Sequence, residues 1–328
     1  MLIFICALLL FCEVFARDAL DIRERGGKAS NCDAIFTSDI TKAGTFSSPS
    51  YPGPYPSKAN CKYEFVGKGR ERIQVIFQDF SLYQTMEELK DCDNQDSLVA
   101  FVQSDGKMEQ IDHFCGNKIP KPIMSNGPKM KLELRGFQSS NRHAKGFKAM
   151  YSFTENFGIK TGEQYLHEKY DCAFMFNSSK SKSGYFHSPN YPGPYPRNTE
   201  CHYLFGGTPQ EKVFLHFNYF DVEGVLPCEA ISASDYVEFS NFITRDRLYP
   251  RHCGNLQEFD VKSDRNFFRV TFQSNDRLDA TGFNATYRFD VEADKRTLKP
   301  AYASKGSAKK IQLFINLVYI VRLGMVFL

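Results

Sequence analysis

Ser48-Pro49-Ser50-Tyr51-Pro52-Gly53-Pro54-Tyr55-Pro56 returns, almost unchanged, as Ser188-Pro189-Asn190-Tyr191-Pro192-Gly193-Pro194-Tyr195-Pro196. A string this rich in proline cannot occupy a central strand, because each proline removes a ladder donor. It reads as a rigid segment at a sheet edge with its tyrosines packed inward. Its repetition extends outward on both sides. His113-Phe114-Cys115-Gly116-Asn117 returns as Arg251-His252-Cys253-Gly254-Asn255, and Phe137-Gln138-Ser139 with Gly146-Phe147 and Tyr151 as Phe272-Gln273-Ser274 with Gly282-Phe283 and Tyr287. The cysteines follow in two sets of four, Cys32, Cys61, Cys92, Cys115 and Cys172, Cys201, Cys228, Cys253. Matching at a period near 140 residues is the mark of a duplicated domain.

Each copy carries β patterning. Ile73–Phe77 and Val213–Phe217 are rich in β-branched and aromatic residues, and Tyr236–Phe239 and Phe268–Phe272 alternate as half-buried strands do. No long stretch carries a 3.6-residue apolar stripe. Many short strands between Pro- and Gly-rich punctuation predict two antiparallel sandwiches of jelly-roll type. The 31 Phe and 17 Tyr, with no Trp, supply their cores.

At 328 residues the chain is long enough for two such cores. Residues 1–16 hold one apolar run ending in Val14-Phe15-Ala16, the pattern of a secretory signal peptide; an N-terminal membrane anchor is the other reading, for which the run is short. Cleavage after Ala16 removes Cys6 and Cys12 and leaves eight cysteines, an even number that favours disulfides in an oxidising compartment. Four cysteines per copy allow three pairings. The sequons at Asn177 and Asn284 fit that compartment. The chain accordingly divides into a leader (1–16), an N-terminal segment (17–31), a first domain (32–153), a linker (154–171) that limits relative orientation without fixing it, a second domain (172–289) and a tail (290–328). In the tail, residues 311–328 are apolar but interrupted by Asn316 and Arg322, with Lys309-Lys310 ahead of them. That pattern fits a weak membrane anchor or anchor signal and an unstructured end equally well.

Several chemistries are excluded. The net charge of +3 carries no basic stripe with interleaved aromatics, so nucleic acid is not a partner. His167-Glu168-Lys169-Tyr170 lacks the second histidine of a zinc-protease helix, no Gly-x-Ser-x-Gly occurs, and paired cysteines leave no nucleophile. His113 and His252 sit at different offsets from the fourth cysteine of their copies and so do not form a repeated ligand set. The chain reads as a binder and not an enzyme.

These strings resemble the CUB domain, found in complement components, tolloid-type proteases and many receptors. That resemblance implies an all-β chain of two tandem CUB-type jelly-roll sandwiches, each with two sequential disulfides: Cys32–Cys61 and Cys92–Cys115, then Cys172–Cys201 and Cys228–Cys253. Each such link stabilises by roughly 3–4 kcal/mol through the unfolded state. Many CUB domains hold one Ca²⁺ by a Glu, two Asp and a supporting Tyr, hard oxygen donors of the kind this ion requires. In the second copy the resemblance places Glu223, Asp235 and Asn275 in those roles, with Tyr195 in support and Asp276 beside Asn275. In the first copy Tyr55 and Asp96 match, Tyr83 or one of its neighbours stands in the Glu position and Ser140 in that of the last Asp, so Ca²⁺ is expected only in the second. Tyr219–Gly224, Ile231–Ser240, Phe267–Phe272 and Asn275–Phe283 resemble a narrower group, the suppressor of lurcher type of neuronal CUB proteins that serve ionotropic glutamate receptors as auxiliary subunits at synapses. The implied function is modulation of a membrane receptor ectodomain by a protein secreted or held at the extracellular face of the plasma membrane. The alternative is a secreted adaptor or enhancer of extracellular matrix proteases.

Overall fold

The computed structural model describes residues 32–84, 92–137, 144–165, 170–229, 232, 234–246 and 248–291. The leader, the N-terminal segment, Ser140, His167 and the tail beyond Val291 lie outside them. The described residues up to Asp290 form one compact body.

The first module begins with β1 (Ala34–Thr37), β2 (Ala43–Ser47), β3 (Asn60–Val66), β4 (Arg72–Ser81) and β5 (Ser97–Ser104). It is completed by β6 (Lys107–Cys115), β7 (Ile123–Met124), β8 (Lys129–Arg135) and β9 (Gly146–Thr154). These form two sheets, ordered β1-β3-β8-β5-β6 and β2-β9-β4-β7. A short β10 (Glu163–Gln164) from the linker adds to the second module. That module comprises β11 (Cys172–Asn177), β12 (Ser183–His187), β13 (Glu200–Gly206), β14 (Glu211–Val222), β15 (Tyr236–Ser240), β16 (Gly254–Leu256), β17 (Phe259–Lys262), β18 (Phe267–Gln273) and β19 (Gly282–Val291). Its sheets run β10-β11-β13-β18-β15 and β12-β19-β14-β16, with β17 also on β14. In both modules the first strand pairs parallel with the third of the same module, β1 with β3 and β11 with β13.

The period-2 alternation explains the sandwiches. In β3 the inward residues Cys61, Tyr63 and Phe65 are buried and those between them exposed. In β19 Phe283, Ala285, Tyr287 and Phe289 point in, while Thr286, Arg288 and Asp290 face solvent. Aromatic edges lock the two layers together, as with Phe186 against Phe205 at 5.1 Å and Phe46 against Phe65 at 5.2 Å between centroids. Each fully buried Phe contributes about 1.5–3 kcal/mol by burial. Cys32–Cys61, Cys92–Cys115, Cys172–Cys201 and Cys228–Cys253 are disulfides, two per module.

The Tyr-Pro strings are not strand edges. Each is a loop, joining β2 to β3 in module 1 and β12 to β13 in module 2, because prolines on both sides of the glycine deny it a ladder. Tyr55 and Tyr195, the second tyrosine of each, are buried at 1% exposure, while Tyr51 and Tyr191 stay half-buried.

The linker does more than limit orientation. Phe157 and Ile159 are buried in the core of module 2, and Arg72 of β4 lies 4.5 Å over the Phe157 ring. Across the seam Gln74 Nε2 donates to Asn190 Oδ1 (2.8 Å), and Asn190 Nδ2 donates to the Pro122 carbonyl (2.9 Å). Gly193 is needed here: a Cβ on it would stand 1.8 Å from the Pro122 carbonyl oxygen. Hydrogen-bonded and closely packed, the joint fixes what a bare linker of this length leaves free.

Candidate functional site

The positions singled out in module 2 converge at one end of the sandwich. β14 ends at Val222 and delivers Glu223; β15 starts at Tyr236, just after Asp235; β18 ends at Gln273, just before Ser274 and Asn275. Tyr195 reaches them from its loop. Its hydroxyl donates to Asp235 Oδ2 at 2.7 Å and accepts the backbone N–H of Glu223 at 2.9 Å. Asp235 Oδ1 accepts the N–H of Asn275 at 2.6 Å. The Asn275 side chain in turn accepts from the N–H of Arg277, which shapes the following loop.

The electrostatics follow from crowding. Asp235 is 1% exposed, and burial is the main reason its carboxyl is pushed up to about 6, with Glu223 and Asp279 adding to the rise. The Tyr195 and Asn275 hydrogen bonds act the other way. The Tyr195 hydroxyl is pushed up, chiefly by burial and then by Asp235. A cation placed beside Asp235 and Glu223 relieves both the burial and the repulsion.

The donors are hard oxygens from three separate loops, chemistry that fits Ca²⁺. Glu223 and Asp235 would contribute carboxylates and Asn275 an amide carbonyl. Among the described residues no group of three or more His, Cys, Asp or Glu side chains is arranged to hold a metal; the third position of this cluster is an amide. What the ion would supply is a fixed positive centre that orders these loops.

Module 1 builds the same scaffold with different tips. Tyr55 Oη donates to Asp96 Oδ2 at 2.7 Å and accepts the N–H of Tyr83 at 2.9 Å, and Asp96 Oδ1 accepts the N–H of Phe137 at 2.6 Å. Tyr83 thus stands in the place of Glu223, as the sequence indicated. The partner of Asn275, however, is Phe137 and not Ser140. The register decides it: Leu134 lies opposite Cys61, as Phe272 lies opposite Cys201. The two Phe-Gln-Ser strings are therefore three positions out of step in space, and Phe137 presents an apolar ring, 51% exposed, where the second copy has an amide.

The sequons lie in different settings. Asn177 ends β11, with its Oδ1 accepting from Ser179 N–H and Oγ (2.9 Å each). Asn284 is on the outward side of β19. His113 pairs with Val99 in the ladder, whereas His252 pairs with Val237 and stacks on Phe259. Sequence reasoning missed Asp279, whose carboxylate holds Arg197 Nε at 2.9 Å beside this end of the module.

The CUB domain family pattern matches residues 32–151 and 172–287. Cubilin of the dog is 27% identical over 261 residues, covering 79% of this chain and 6% of cubilin. Human tolloid-like protein 2 is 28% identical over 270 residues, covering 81% of this chain and 23% of its own length. The chain thus spans less than a quarter of these relatives, and the match lies in the CUB segments. The solved CUB1-EGF-CUB2 region of human MASP-1/3 aligns at 21% identity and a TM-score of 0.32, over 76% of this chain and all of that one. No helix among the described residues is long and apolar enough to cross a membrane. With both sandwiches, their disulfides and most of the chain accounted for by one family pattern, the chain belongs to the CUB domain family.

Proposed function

We propose that the chain is an extracellular binding protein that presents the Tyr195–Asp235 end of module 2 to the ectodomain of a membrane receptor, an ionotropic glutamate receptor in the first instance. The observation that carries this reading is that module 2 alone sets the oxygen-bearing side chains Glu223, Asp235 and Asn275 on the tyrosine frame, with Glu223 and Asp235 bonded to Tyr195 and Asn275 bonded to Asp235. The loops bearing them also bear Val225, Leu226 and Leu278, all more than half exposed. Exposed apolar side chains of this kind supply the hydrophobic core of an interface, and the polar groups beside them supply part of its rim. Four disulfides support an oxidising, extracellular setting. The narrower receptor reading is supported by the strings Tyr219–Gly224 and Ile231–Ser240, which flank this end.

A protein of this kind acts by binding one receptor state more tightly than another, which shifts their populations without chemistry. Ca²⁺ at Glu223, Asp235 and Asn275 would order the binding loops. Co-expression with a glutamate-gated channel, with recording of current size and desensitisation, tests the reading. Altered desensitisation that disappears in the Leu226→Asp, Leu278→Asp double variant supports it. Unchanged currents, alongside faster processing of a matrix substrate by its protease, would instead favour the adaptor role.

A further inference from the structure

The seam between the modules and the oxygen cluster of module 2 share residues. Two routes connect them. The first runs from Gln74 to the fully buried Asn190, whose Nδ2 also donates to the Pro194 carbonyl at 2.7 Å, immediately before Tyr195. The second runs from Asn126 of module 1, whose Oδ1 accepts the backbone N–H of Arg197 at 2.9 Å. Arg197 Nε donates to Asp279 Oδ2 at 2.9 Å, with both side chains largely buried. Asp279 belongs to the loop that begins at Asn275, which is itself bonded to Asp235. Where the routes meet, a cavity of about 40 Å³ is lined by Ile111, Asp112 and Met124 from module 1 and by Tyr195 and Asp279 from module 2. Asp112 feels Asp279 across it: burial raises the Asp112 carboxyl first, and the neighbouring carboxylate adds to the rise.

We propose that this seam and the oxygen cluster are one coupled unit: a divalent cation held by Glu223, Asp235 and Asn275 tightens the seam, and an intact seam raises the affinity for the cation. The proposal rests on the cation reading of the cluster. A cation draws the loop 275–279 toward Asp235, which fixes Asp279 and so Arg197, whose N–H is the donor to Asn126. In the other direction, removing Gln74 leaves a buried amide oxygen of Asn190 without its donor, a loss the Tyr-Pro loop relieves only by moving, and Tyr195 moves with it. Coupling of this kind is reciprocal, so each site changes the other by the same factor. Module 1 shows how Asn190 can be varied. Ser50 occupies the matching position with the same left-handed backbone, φ 63° against 58°, and has no amide to bridge a seam.

The test uses the full chain in three forms: wild type, the Gln74→Ala, Asn126→Ala double variant altered only in module 1, and Asn190→Ser, which keeps the backbone conformation should the first fold poorly. Calcium chloride is titrated by calorimetry, and the distance between one spin label on each module is recorded with and without the ion. The expected result is a Ca²⁺ affinity about five- to tenfold weaker in both variants, within the usual range of coupling between sites, and an inter-module distance distribution that Ca²⁺ narrows only in the wild type. Equal affinities in all three forms, or a distribution indifferent to Ca²⁺, overturn the coupling alone. No heat from the wild type removes the cation reading and the coupling together.

Discussion

Tyr195 donates its hydroxyl proton to Asp235 and accepts the backbone N–H of Glu223, and in module 1 Tyr55 does the same for Asp96 and Tyr83. The distances agree to the first decimal, so the tyrosine is part of the sandwich frame and does not by itself mark a binding site. The difference between the modules lies in the side chains that this frame presents. Tyr195→Phe and Tyr55→Phe should therefore each destabilise their own module by about 1–3 kcal/mol, the usual cost of leaving a buried acceptor unpaired. Urea unfolding of the full chain measures both. Only Tyr195→Phe should also weaken Ca²⁺ binding.

The disulfide Cys228–Cys253 spans 25 positions and closes the segment between Glu223 and Asp235 onto the core. Loop-closure entropy gives it about 3.5 kcal/mol. The Cys228→Ser, Cys253→Ser double variant should lower the unfolding free energy of module 2 by that amount and leave module 1 unchanged, as followed by hydrogen exchange of β5 and β18.

Glu211 accepts from Lys182 and from the Thr208 N–H at the turn before β14, and the Lys182 bond first, then Thr208, holds its carboxyl down at about 2 against an ordinary 4.5. A carboxyl lowered on folding stabilises the fold above its unfolded value and loses that contribution as pH falls through the folded one. Glu211→Gln should therefore be less stable than wild type at pH 7, with the gap closing between pH 4.5 and 2. Thermal melts across that range check the sign; a gap that stays constant down to pH 2 would refute the assignment.

Gly193 faces the Pro122 carbonyl across the seam, whereas the Cβ site of Gly53, its counterpart in module 1, meets only Ser50 of its own loop at 3.0 Å. Gly193→Ala should widen the distance between the modules, and Gly53→Ala should not. Small-angle scattering of the two variants distinguishes them.

The repeat, the cysteine sets and the alternation of β3 and β19 are local patterns, which is why the sandwiches were legible in the sequence; Glu223, Asp235 and Tyr195 were singled out by the family resemblance alone, and the structure brings the three together. Ser140 was matched to Asn275 because two Phe-Gln-Ser strings looked alike. In space, ten residues join β8 to β9 and eight join β18 to β19, so identity along the chain did not track position at the loop. The seam was not legible at all. Gln74 and Asn190 are 116 positions apart, and nothing in either neighbourhood signals that their side-chain amides meet.

The central claim is that two modules sharing one frame differ in what they bind. Counting Ca²⁺ ions per full chain by calorimetric titration tests it most directly, in the wild type, in Asp235→Asn and in Asp96→Asn. The account predicts one ion per chain, lost in Asp235→Asn and retained in Asp96→Asn. Two ions per chain, none, or one that disappears with Asp96→Asn would contradict it.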